Sequence, residues 1–144
     1  MSEPGSCRVG GVVLGSTDPR RLWEWYRTAF APPRDGDDRD HGHGGGGGEG
    51  GGEAPLLSLE LGGTYVIFES RDDVGRKSVE PGRILVTFEV TGICAHEKRL
   101  TATLNPRWIR PVEAAGERVL LGTLEDPDGN YVQLFEVTDD SPTA

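Results

Sequence analysis

An α+β fold built on an internal repeat is predicted by three features of this sequence. Stretches such as "LLSLEL", "ILVTFEV" and "YVQLFEV" alternate side-chain character with period two, as half-buried strands do. Two other stretches, one starting at Pro19 and one over about residues 93–104, place apolar residues at helical spacing. The order strand, helix, strands is written twice, so each half carries a sheet that needs a partner.

The first element is "VGGVVLGSTDPRRLWEWYRTAF", a strand through Val12, Val13 and Leu14 followed by a helix. Asp18 is the candidate N-cap, and Pro19 takes the first helical position, where its missing N–H costs nothing. Leu22, Trp25, Tyr26, Ala29 and Phe30 share one side, with Arg20, Arg21, Glu24 and Arg27 on the other, which predicts a surface helix lying on a sheet. Residues 31–53, "APPRDGDDRDHGHGGGGGEGGGE", have almost no apolar side chain and are expected to form a flexible surface loop.

"LLSLEL" and "TYVIFES" follow as strands joined by Gly62-Gly63, a hairpin signal. After a polar link over residues 71–82, "ILVTFEV" starts the second half. Ile84, Val86, Phe88 and Val90 share one face of it; Leu85, Thr87 and Glu89 share the other. The helix at 93–104 presents Ile93, Leu100 and Leu104, and "RWIRPV", "RVLLGTLE" and "YVQLFEV" close the chain as strands. The "DPDGN" turn before the last strand has a physical basis. Asp126 can bond backbone two residues on, Pro127 presets φ, and Gly129 or Asn130 tolerates a left-handed conformation.

Composition bounds the function. The 144 residues suffice for one domain or two similar halves, and 15 basic against 24 acidic residues give a net charge of −9. Such a field repels a phosphate backbone, which argues against nucleic acid as a partner. No apolar run approaches the roughly 18 residues of a membrane span. The two cysteines, Cys7 and Cys94, have neither CxxC spacing nor a disulfide pattern, and "MSEPGSCRVGG" lacks the regions of a signal peptide. The expected setting is a reducing cytoplasm.

The doubled order together with "DPDGNYVQLFEV" resembles the vicinal-oxygen-chelate superfamily of glyoxalases, extradiol dioxygenases, fosfomycin-resistance and bleomycin-resistance proteins. "VVLGSTDPRRLWEWYRTAF" is similar to its first module, with Trp25-Tyr26 as the aromatic pair, and "LVTFEV" to the opening of its second. The resemblance covers about residues 9–32 and 55–137. It implies two βαβββ modules, helices outside, with a curved, partly closed sheet around a cavity. One glyoxalase-like domain then spans residues 1–144: module one at about 8–70 with the loop 33–53, module two at about 83–137, and a tail at 138–144.

Metal-dependent relatives place four donors in that cavity, and the resemblance carries these positions onto Gly11, Ile67, Leu85 and Gln133. Three of the four have no lone pair, and one neutral amide cannot hold a divalent ion that needs three or more donors. No metal and no cofactor are therefore expected. His41 and His43 with Asp35, Asp37, Asp38 and Asp40 form a tempting cluster, but in a segment that would have to be ordered to bind. His96 reads as part of a solvated helix face.

With helices on one side, Val12, Leu14, Val66, Phe68, Val86, Phe88, Val90, Val132 and Leu134 are expected against them. Val13, Tyr65, Ile67, Glu69, Leu85, Thr87, Glu89, Tyr131, Gln133 and Phe135 are then expected to face the cavity, an aromatic and aliphatic surface suited to a small molecule. Trp108 is open between ligand stacking, core and dimer contact. The candidate ligand residues are Tyr65, Ile67, Leu85, Thr87, Glu89, Trp108, Tyr131, Gln133 and Phe135. The leading expectation is a metal-free protein, resembling the bleomycin-resistance branch, that sequesters a planar or cationic small molecule. The alternatives are a metal-independent lyase, isomerase or tailoring enzyme using Glu69 or Glu89 as base, and a divergent metal-dependent glyoxalase or dioxygenase. A homodimer is the expected assembly, with Trp23 as a candidate contact.

Overall fold

The computed structural model describes residues 4–32 and 56–138. The expected loop at 33–53, the His41/His43 cluster and the tail beyond Thr138 lie outside the described residues.

The chain begins with strand β1 (Gly11–Ser16) and helix α1 (Pro19–Phe30). Asp18 caps the helix as the sequence predicts, its carboxylate accepting from the Arg21 N–H at 3.2 Å. Pro32 sets the other end, because a residue preceding proline is driven out of the helical region. Ala31 accordingly sits at φ −139°. Strands β2 (Leu57–Leu61) and β3 (Thr64–Ser70) form a hairpin on Gly62 and Gly63, at φ 60° and 87°. Two successive positive φ angles are what a tight hairpin turn demands.

The second half contains β4 (Val86–Glu89), α2 (Ile93–Leu104), β5 (Trp108–Ala114), β6 (Val119–Glu125) and β7 (Tyr131–Val137). Helix α2 begins after Gly92, which has no side chain to cap with. Its first amides are capped from across the sheet instead. The Glu136 carboxylate on β7 accepts from the N–H of Gly92 at 2.8 Å and of Ile93 at 3.1 Å. Those two bonds hold its carboxyl below the usual glutamate range. Asn105, left-handed at φ 45°, ends the helix by donating its N–H to the carbonyls of Leu100 and Thr101.

Two mixed sheets result, ordered β1-β3-β2 and β4-β7-β6-β5, and they do not close into a barrel. In each, the first and last strands of the module are parallel neighbours, while the other pairings are antiparallel. Module two is a complete βαβββ unit. Module one shows βαββ among the described residues. Strand β4 is shorter than "ILVTFEV" suggests. Its partner β7 emerges only after the turn at 126–130, so pairing starts at Val86 opposite Val132, and Ile84 is left exposed.

The helix-facing residues form one core spanning both modules. Val66, Phe68, Val132 and Leu134 are buried, with Val12, Leu14, Phe88 and Val90 packed against them, on the face that alternation assigned. Each large apolar side chain buried there contributes about 1.5–3 kcal/mol. Helix α1 is the joint between halves. Phe30 stacks on Phe88 of β4 at 3.9 Å between ring centroids, and Tyr26 touches both Phe68 and Phe88. Arg99 of α2 donates to the carbonyls of Thr28 and Ala29 at the C-terminal end of α1, where a cation also suits the helix dipole.

Candidate functional site

The faces turned away from the helices carry most of the predicted site residues in pairs. Tyr65 lies opposite Gly11, and Ile67 opposite Val13. In the second sheet Thr87 pairs with Gln133, which also faces Thr123, and Glu89 pairs with Phe135. Leu85 precedes β4 on the side of Thr87. Trp108 is elsewhere: it is in register with the fully buried Leu124, packs on the core, and donates its indole N–H to Thr101 of α2 at 3.0 Å. It belongs to the helix side. Trp23 is half-buried, its indole N–H donating to the Ser58 carbonyl at 3.1 Å and its ring meeting Arg27.

The register sets which residues of this face are direct neighbours. Gly11 is not opposite Ile67 but two residues away, and the residue across from Gln133 is Thr87 rather than Leu85. A two-residue offset keeps the face, so Val13 and Thr87 are weighed as donors beside Gly11, Ile67, Leu85 and Gln133. Gly11 is also closed sterically, since a Cβ built there would collide with the Tyr65 carbonyl oxygen. A histidine could not replace it without moving β1 off β3. Valine, isoleucine, leucine and glycine offer no donor, and Thr87 and Gln133 are neutral. Among the described residues, no three His, Cys, Asp or Glu side chains lie close enough to share an ion. The residues present do not fit the metal that the fold family implies.

A cavity of about 360 Å³ lies instead at the seam between the two sheets. One wall is β1 from Val12 to Gly15; the facing wall is Ile84 and Val86 at the start of β4. The link between modules, through Ser78, Pro81 and Arg83, covers one side, and Tyr26, Asn130 and Tyr131 line the remainder. Two contacts pin the link to the 126–130 turn. The Ser78 N–H donates to the Asp128 carbonyl at 2.8 Å, and the Lys77 ammonium to the Pro127 carbonyl at 2.8 Å. Gly82 passes close to the Tyr131 ring. Of the predicted site residues, Tyr131 is the one that lines this cavity.

Behind the cavity sits Asp126, 3% exposed. Its carboxylate accepts four hydrogen bonds: from the Tyr26 hydroxyl at 2.6 Å, the Asn130 side-chain amide at 2.9 Å, and the backbone N–H groups of Asp128 and Asn130 at 2.8 and 2.9 Å. Burial pushes its carboxyl above the ordinary aspartate range, and those bonds oppose the shift. Burial, with Asp126 alongside, raises the Tyr26 phenol well above its usual value, so it is a fixed donor rather than an acid. Sequence showed Asp126 as a turn residue; its tertiary role depends on a tyrosine 100 positions away.

The carboxylates of Glu69, Asp73 and Glu80 are already paired. Glu69 and Asp73 hold Arg71 at 3.0 and 2.6 Å on an exposed rim. Glu80 and Arg83 pair at 2.8 Å at the edge of the cavity. His96 is half-buried rather than solvated; burial and the nearby Arg99 hold its imidazole below the ordinary range. Cys7 and Cys94 are exposed and unpaired.

No protein-family model and no curated protein sequence matches the chain. Solved structures match in fold. A glyoxalase/bleomycin resistance protein/dioxygenase family enzyme from Burkholderia phytofirmans superposes with a TM-score of 0.63 at 13% identity, over 91% of this chain and 99% of that one. TioX from a Micromonospora species gives 0.60 at 18% identity over the same shares. A protein described as glyoxalase family, from Bacillus anthracis, gives 0.62 at 12% identity over 95% and 100%. The chain therefore has the vicinal-oxygen-chelate fold that "DPDGNYVQLFEV" and the doubled order resemble.

Proposed function

We propose that this protein binds a small organic molecule in the seam cavity and uses no metal ion to do so. The observation that supports this reading is the cavity itself, at the lower end of the volume range of ligand pockets and mainly apolar with a few fixed polar groups. The chemistry of the donor positions points the same way, since Gly11, Val13, Ile67, Leu85, Thr87 and Gln133 cannot assemble three charged or imidazole ligands. Tyr131 is the central contact of the proposed site. Gln133, Thr87, Phe135 and Glu89 extend it along the open face, with Tyr65, Ile67 and Leu85 beyond. Trp108 is left out because it serves the core. The name of the Burkholderia neighbour includes bleomycin resistance, and sequestration without chemistry is the corresponding role here. The general-base alternative loses Glu69, which Arg71 holds.

A homodimer in the cytoplasm completes the proposal. Exposed Val13 and Tyr65 on the open face offer apolar contact area for a second copy. The test is a thermal-shift screen of uncharged and charged compounds, alongside titration with zinc, nickel and manganese. Organic ligands should raise Tm and metals should not. Tyr131→Ala should weaken a ring-bearing ligand by about 1 kcal/mol, several-fold in Kd. Stoichiometric metal binding with no organic ligand would overturn the reading.

A further inference from the structure

Among the described residues, the wall of the seam cavity formed by β1 is a strand edge, with β3 as its one neighbour. Gly10 and Ser16 turn their carbonyls toward β3, accepting from the N–H groups of Tyr65 and Arg71 at 3.2 and 3.0 Å. In a parallel ladder alternate residues bond to the same neighbour. The N–H and C=O groups of Val13 and Gly15 therefore point the other way. β1 is an edge strand, and Val13 and Gly15 both line the cavity. Opposite polarity is supplied at Asn130. The carboxylate of Asp126 only accepts, so the nitrogen bonded to it is Nδ2, and Asn130 keeps Oδ1 as an acceptor. Tyr26 likewise spends its proton on Asp126 and retains acceptor lone pairs.

Charge narrows the ligand further. Asp126 is satisfied by four donors, and Glu80 and Arg83 neutralise one another. No other carboxylate or cationic side chain lines the cavity among the described residues, and the exposed Glu80–Arg83 pair presents both signs together, which favours a ligand without net charge. Resting on the small-molecule reading above, we infer that the cavity takes a neutral cyclic secondary amide, of the lactam or imide type. Its carbonyl accepts from the β1 edge at Val13 or Gly15, its N–H donates to the acceptors at Asn130 and Tyr26, and its ring lies against Val86 and Tyr131.

The experiment is an amide-resolved NMR titration of the intact protein with three probes built on one seven-membered ring: caprolactam, N-methylcaprolactam and cycloheptanone. Caprolactam should move the Val13 and Gly15 backbone resonances and the Asn130 side-chain amide. The N-methyl compound should bind about tenfold more weakly, the loss expected when a buried acceptor goes unpaired. Equal binding of all three at the seam would overturn the amide inference and leave the small-molecule site standing. If none of the three moves a seam resonance while other neutral compounds raise Tm and do, the amide class is again wrong and the site survives. If no compound of any class reaches the seam, both fall.

Discussion

Tyr26 donates its phenolic hydrogen to Asp126 across 2.6 Å, and that one bond ties the helix of the first module to the turn that launches the last strand of the second. Both residues are buried, so neither can exchange the bond for water. Tyr26→Phe keeps the ring packing against Phe68 and Phe88 and removes only the donor. It should cost about 2 kcal/mol in chemical denaturation. The Asp126 carboxyl should titrate higher still, because the lost bond was one that lowered it. A raised folded-state value gives stability that is greatest below the ordinary aspartate range and is lost as pH rises through the folded value. The gap between variant and wild type should therefore widen from acid to neutral pH.

Glu136→Gln tests the cap that β7 lends to α2. The carboxyl is held low by the amides of Gly92 and Ile93, so its contribution is present above the ordinary glutamate value and lost as pH falls. The variant should melt a few degrees lower at neutral pH, and the difference should close as pH falls below the ordinary glutamate range. A difference that grows on acidification would contradict the cap.

Gly11→Ala should destabilise by about 1–3 kcal/mol, since the new methyl meets the Tyr65 carbonyl inside a paired ladder. Gly10→Ala is the matched control, with open space around its Cβ. It should stay within about 0.5 kcal/mol of wild type. Equal effects at the two positions would mean that β1 is not held against β3 as described.

Protein produced with excess zinc should carry less than one equivalent by elemental analysis. Leu85→His with Gln133→Glu restores two donors, yet should gain no zinc-dependent rise in Tm, because Val13, Ile67 and Gly11 still offer none. A tight site in the double variant would show that side chains from outside this face swing in to complete the ligand set.

Much of the architecture was legible because local chemistry carried it. Asp18-Pro19 fixes the start of α1, Gly62-Gly63 fixes a hairpin, and alternation separates Phe88 from Thr87 without any tertiary information. Register was not legible. A shift of two residues leaves every side chain on its own face, so the pattern cannot choose between Gly11 and Val13 as the neighbour of Ile67. Trp108 was ambiguous for a related reason, since a tryptophan suits a core and a ligand equally. The seam cavity was hidden because one of its walls is the link through Ser78 and Arg83, which reads only as polar. Its other groups owe their positions to contacts between modules.

Strand β7 occupies the interior of its sheet, between β4 and β6, although it is the last strand of its module to be synthesised. On the ribosome, β4 waits with its parallel partner still unmade, and β5 and β6 form a hairpin with nothing on its inner side. The carboxylate that caps α2 and the one that receives the Tyr26 hydroxyl arrive in the same late stretch, at Glu136 and Asp126. Assembly of this half is thus gated by the emergence of residues 126–137. A chain lacking them would leave β4 without its parallel partner and one edge of the β5–β6 hairpin unpaired, the kind of edge on which chains associate.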